Sequence, residues 1–171
     1  MKQKFASAKT LSEVNPADYD AIFYVGGHGP VIDLASDATN AKLASAFFQA
    51  GKITSAVCHG PAALVGAVDA NGKSIFDGRK ATGFSNEEEI QAKGTEIVPF
   101  LLEDRIKSLG GKFEAADQPW GVSAFCAVVV CLTDAHACLQ VKVVVDGNLI
   151  TGQNPASAGP IGKAILEALQ K

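Results

Sequence analysis

No apolar run in this sequence reaches the roughly 18 residues that a membrane helix needs. Basic clusters are also missing. Its 15 Lys and Arg are outnumbered by 18 Asp and Glu, for a net charge of −3, which disfavours nucleic acid or an anionic membrane as a partner. Residues 1–8 lack the apolar core of a secretory signal, so secretion is not expected. The four cysteines do not form a secreted disulfide framework: Cys126, Cys131 and Cys138 crowd together while Cys58 stands alone. A reducing cytosol is the expected setting. The dinucleotide glycine spacing and the Gly-Lys-Ser/Thr ending of a phosphate loop are both absent. What is there suits one globular domain with a real core: 171 residues, 47% hydrophobic and 19% charged.

Residues 53–63 organise the chain. The β-branched run Ile53-Thr54-Ser55-Ala56-Val57 reads as a buried strand, and Gly60-Pro61-Ala62-Ala63-Leu64 as a helix start with proline in its first turn. Cys58 and His59 sit at the corner between them. Such a corner pushes a side chain out of the sheet, as in a nucleophile elbow. A helix N-terminus there would favour the thiolate, and free amides of the first turn would stabilise an oxyanion. On that reading Cys58 is the most reactive cysteine of the folded chain. Its bland alternative is a small buried packing residue.

Upstream, Ala21-Ile22-Phe23-Tyr24-Val25 reads as a buried strand that runs into Gly26-Gly27-His28-Gly29-Pro30. Three glycines in four positions let backbone amides approach a ligand, which fits an oxyanion loop. His28 is either a pocket residue or a solvated loop residue. Ser36 reads as the N-cap of a helix carrying Leu43, Phe47 and Phe48 and stopped by Gly51. Leu64, Val65 and Val68 fall on the helix after the corner. Residues 79–84 read as a strand leaving the sheet at Gly83, followed by a Ser85 cap and three acids, Glu87, Glu88 and Glu89. That acidic first turn suits a helix dipole with no further role. Residues 99–110 read as an amphipathic helix, 112–114 as a strand, 143–150 as a hairpin around Asp146-Gly147, and 156–169 as the last helix. Alternating strands and helices indicate an α/β domain with a largely parallel sheet. Functional loops then gather at the carboxyl ends of the strands, where 26–29, 58–59 and 83–89 could share one crevice.

These motifs resemble the PfpI-like superfamily, in the branch of glutathione-independent glyoxalases (glyoxalase III, D-lactate dehydratase) also described as heat-shock chaperones. The matching stretches are 18–24, Gly26-Gly27-His28-Gly29-Pro30, Ala56-Val57-Cys58-His59-Gly60-Pro61-Ala62, 82–89 and Thr151-Gly152-Gln153-Asn154-Pro155-Ala156-Ser157. The resemblance implies a flavodoxin-like, class I glutamine amidotransferase-like three-layer sandwich with a mostly parallel sheet. It implies Cys58 as nucleophile, His59 as its partner, Glu89 as the third member, and Gly27 and His59 as oxyanion amides, with His28 lining the pocket. It implies no cofactor and no metal. The implied reaction takes methylglyoxal and water to D-lactate, in the cytoplasm or alternatively the nucleus, with a homodimer left open. A chaperone or redox sensor, a deglycase or peptidase, and an inactive fragment are the alternatives.

Two departures from the family pattern shape the expectation. No residue before Asp18 resembles the family's N-terminal section, which supplies a first strand, helix and second strand and a glutamate beside the nucleophile. The sandwich is therefore expected to be incomplete at its N-terminus, and the chain as written to be a poor catalyst. A Cys-, Ala- and Val-rich stretch, 122–140, interrupts residues 1–171 of this single domain. The spacings of Cys126, Cys131, His136 and Cys138 match no zinc pattern. Its Val-Ser start, Leu-Thr-Asp and Leu-Gln end admit codons resembling splice signals, and removing it restores the family spacing in frame, so a translated intron is one reading of it.

Overall fold

The computed structural model describes residues 7–121 and 141–171. The expected insertion 122–140, with Cys126, Cys131, His136 and Cys138, lies outside the described residues. Six strands follow in chain order: β1 (Ala21–Tyr24), β2 (Ile53–Val57), β3 (Lys80–Ala81), β4 (Lys112–Phe113), β5 (Val143–Asp146) and β6 (Leu149–Gly152). The α-helices are α1 (Ala38–Gln49), α2 (Asn86–Gln91), α3 (Leu102–Ser108) and α4 (Ala158–Leu169). The main sheet has the order β1-β2-β6-β5. Strands β1, β2 and β6 are parallel, and β5 returns antiparallel to β6 through the two-residue turn Gly147-Asn148. A two-residue hairpin turn needs positive φ, and Gly147 supplies it at 63°.

The period-two geometry of β2 explains the layers. All five of its residues are buried, as expected for an inner parallel strand covered on both faces. Ile53 and Val57 pack with Ile150 and Ile161 of α4, and Ala56 packs with Tyr24, Leu149 and Phe48 of α1. The sheet therefore separates two cores. Strand β1 differs from the expected buried strand: Phe23 and Val25 are exposed. The cause is position, because β1 is the outer strand of the described sheet and no described residue covers its second face at Phe23. A hollow of about 580 Å³ runs along it, walled by Ile22, Phe23, Leu34, Leu43 and Phe47, away from the corner at Cys58.

Three further expectations change. The N-cap of α1 is Asp37, whose carboxylate accepts from the Asn40 amide at 2.6 Å; Ser36 instead turns its hydroxyl to the Asp33 carbonyl. Strand β3 does not join the main sheet but pairs in parallel with β4. It is tied to the main sheet by side chains, Lys80 N–H donating to Asp146 at 2.9 Å and Thr82 N–H to Thr151 Oγ1 at 2.9 Å. After the corner the chain forms a 3₁₀ helix, Gly60–Leu64, rather than an α-helix.

Asn40 holds this half of the molecule together. Its Oδ1 accepts from the Tyr24 hydroxyl at 2.6 Å, and its Nδ2 donates to the carbonyls of Ala63 at 2.6 Å and Leu34 at 3.0 Å. One buried amide thus links β1, α1 and the turn behind the corner. Asn40→Ala strands these groups and should cost about 1–3 kcal/mol in urea unfolding. A change below about 0.5 kcal/mol would show that they find other partners.

Candidate active site

The corner after β2 is strained. Cys58 has φ 62°, in the left-handed region that a residue with a Cβ rarely occupies. Two backbone bonds hold it there: Cys58 N–H donates to Gly152 O and Phe84 N–H to Cys58 O, both at 2.9 Å. Close approach by glycine makes room. A Cβ on Gly26 would stand 2.5 Å from Val57 O and 3.0 Å from Cys58 Cβ, and one on Gly60 would collide with Tyr24 O. Glycines at those two positions let the 26–29 loop and the 3₁₀ turn close on the cysteine.

A relay starts at the half-buried thiol. Cys58 Sγ lies 3.5 Å from His59 Nδ1, and His59 Nε2 lies 2.6 Å from Glu89 Oε2. A carboxylate accepts, so Nε2 carries the imidazole hydrogen and Nδ1 faces the thiol as an acceptor. His59 and Glu89 are both buried. The imidazole is packed between rings, with Phe84 at 4.3 Å and His28 at 4.7 Å between centroids.

The neighbouring acid does another job. Glu88 Oε2 accepts from the Ser85 amide at 3.0 Å and hydroxyl at 2.8 Å, while Oε1 accepts from the Trp120 amide at 2.9 Å and Asn154 Nδ2 at 2.7 Å. Trp120, itself at φ 62°, then sets its ring edge-on to Phe84 at 5.4 Å. Glu88 thereby fixes the aromatic wall behind His59.

Burial pushes the Cys58 thiol above its ordinary range. The amides of His59 and Gly27 pull it back, and the negative charges of Glu88 and Glu89 push it further up. Burial also lowers the basicity of His59, against the hydrogen bond and charge of Glu89. Burial thus favours the uncharged form of both partners, a thiol beside a neutral imidazole. The expected thiolate is not favoured, because burial outweighs the amides of His59 and Gly27; a five-residue 3₁₀ turn stands where a helix was expected. For Glu88, burial acts to raise the carboxyl, but the bonds from Ser85, Asn154 and Trp120 win and hold it below its usual value.

The structure brings Cys58, His59, Glu89, His28 and Gly27 to one place. His28 is half-exposed at the rim, its Nε2 3.8 Å from Glu89 Oε1. The acidic turn is not a solvated face: only Glu87 of the three acids is exposed. Sequence reasoning missed Glu88, Phe84, Trp120 and Asn154. The Ser-x-x-Glu spacing of Ser85 and Glu88 is a capping-box signal that could have singled out Glu88, whereas its bonds to Trp120 and Asn154 leave no local trace.

A strained cysteine at a strand-to-turn corner, backed by a histidine and a buried carboxylate in an α/β sheet, defines a class of proteins with a cysteine-centred site. Residues 2–168 match the DJ-1/PfpI family, and the chain belongs to it. It is 32% identical over 163 residues to the probable glutathione-independent glyoxalase hsp3104 of Schizosaccharomyces pombe, covering 95% of this chain and 67% of that protein. The Rapid Encystment Protein 24 kDa structure from Francisella tularensis superposes with a TM-score of 0.78 at 34% identity, over 94% of this chain and 63% of that one. Glyoxalase III from Candida albicans gives a TM-score of 0.75 at 28% identity, over 92% and 60%. The chain thus spans 60–67% of the length of these three proteins.

Two outcomes follow from the electrostatics. Iodoacetamide labelling of Cys58 should keep accelerating as pH rises past the ordinary thiol value of about 8.5; a plateau already reached at pH 7 would mean a low-pKa thiolate. Glu88→Gln places an amide N–H against the Ser85 donors and should destabilise the fold at pH 7. A carboxyl held below its unfolded value contributes stability above that unfolded value and loses it as pH falls through the folded one. The stability gap between the native chain and Glu88→Gln should therefore narrow in acid, and a gap constant with pH would contradict the clamp.

Proposed function

We propose that this chain carries the site of a glutathione-independent glyoxalase, at which Cys58 converts methylglyoxal and water to D-lactate, slowly in the chain as written and faster once the family's front section is restored. The observation that carries this reading is the continuous relay from Cys58 Sγ through His59 to Glu89. The glyoxalase names of two relatives agree with it. Cys58 sulfur adds to the aldehyde carbon, its proton passes to His59 Nδ1, and the carbonyl oxygen takes up a proton to give a hemithioacetal. A base removes the hydrogen from that carbon, and the electron pair flows into an enediol. Reprotonation at the neighbouring carbon yields a lactoyl thioester, which water cleaves to D-lactate and the free thiol. One carbon is oxidised and its neighbour reduced, so the balance needs no cofactor. The Gly27 and His59 amides hold the developing oxyanion.

A thiol that starts protonated needs a base in reach at the moment of attack, which is the role given to His59. No described helix is long and apolar enough to cross a membrane, and the small 2-oxoaldehyde is the only partner this reaction requires.

D-lactate formation from methylglyoxal without glutathione is the test. Turnover should vanish in Cys58→Ser and fall by about 10²–10⁴-fold in His59→Ala. Product formation that survives Cys58→Ser, or that requires glutathione, would overturn the proposal.

A further inference from the structure

We propose that His28, His59 and Glu89 form a binding site for a zinc-class divalent metal ion, and that the bound ion switches the cysteine relay off. Their donor atoms lie within 4.8 Å of one another. Two imidazole nitrogens and one carboxylate oxygen form a donor set suited to zinc and its first-row neighbours. A second observation points to a ligand. Glu89 Oε1 is buried and has no hydrogen-bond partner among the described residues, although Oε2 of the same carboxylate is bound to His59. Buried carboxylate oxygens are seldom left unpaired, because the desolvation goes uncompensated. The orphan faces His28 Nε2 at 3.8 Å. Gly94 keeps the space beside it open, since a Cβ there would collide with Oε1.

Only a small adjustment is needed. Zinc bonds of about 2.0–2.2 Å put tetrahedral ligands roughly 3.3 Å apart. The His28 side chain is 44% exposed on a glycine-flanked loop, while Glu89 is 2% exposed, so His28 is the member free to close.

The consequence for the relay follows from imidazole chemistry. A metal on His59 Nε2 forces the ring hydrogen onto Nδ1, the atom that faces Cys58 Sγ. Nδ1 then donates to the sulfur and can no longer accept its proton. The silencing rests on the glyoxalase reading above; the binding itself does not.

The test titrates cobalt(II) into the metal-free full chain and compares His28→Asn and Glu89→Gln. A nitrogen-and-oxygen site gives visible ligand-field bands without the sulfur-to-cobalt charge transfer that Cys126, Cys131 or Cys138 would add. The expected result is one such site, from which zinc displaces cobalt. Its affinity should fall by at least about tenfold in each variant, the loss that even an outer-shell partner brings. Zinc should also stop Cys58-dependent turnover, and a chelator should restore it. Cobalt affinity unchanged in His28→Asn, or no band of this type, would overturn the site and leave Oε1 to water or to His28 alone. If Glu89→Gln fails to fold, the half-exposed His28→Asn decides. If metal-free protein shows no turnover, alone or with the family's front section restored, the glyoxalase reading fails while the cobalt titration still decides the metal site.

Discussion

The left-handed backbone of Cys58 is the constraint on which the site depends. A non-glycine residue in that region costs on the order of 1–3 kcal/mol and persists only where its surroundings over-determine it. Here the surroundings are specific. Strand β6 accepts the Cys58 amide through Gly152, and the 83–85 loop donates to the Cys58 carbonyl through Phe84. Gly26 and Gly60 leave out the side chains that would hold neighbouring backbone away. The turn that results aims the thiol at the next residue's imidazole, so two consecutive side chains share one crevice.

Around that corner, two adjacent carboxylates are separated by their partners. Glu88 receives four hydrogen bonds from three segments and serves as a fixed negative post. Among the described residues Glu89 receives one, from His59, and keeps an oxygen unspent. The first arrangement stabilises architecture, and the second leaves chemistry to be done. Burial, and after it both charges, pushes the thiol up. On the proposed reading, the cysteine then attacks with help from a base rather than as a preformed thiolate.

How much of this was readable in advance depended on how local the cause was. The strand-corner-proline pattern at 53–61 and the glycine loop at 26–29 are local, and both elements lie where their residue types place them. The segment after Pro61 was misread as an α-helix. Residues from Gly60 to Val65 are all buried, so no amphipathic period marks the element type, and Gly66 packs close to Ala41 of α1. Burial of β1 was overestimated because a run of apolar residues does not reveal which strand lies outermost. The assignment of Glu89 to His59 came from resemblance rather than from spacing, and the clamp on Glu88 needs Trp120 and Asn154, which only the fold brings near.

The relay makes one statement about a hydrogen position: His59 carries its proton on Nε2, bonded to Glu89, and offers Nδ1 bare to Cys58. Nitrogen-15 NMR of the imidazole in metal-free protein at neutral pH measures this directly. The relay requires a protonated Nε2 with a downfield-shifted proton that disappears in Glu89→Gln, and an unprotonated Nδ1. A proton on Nδ1, or a spectrum indifferent to Glu89→Gln, would contradict it.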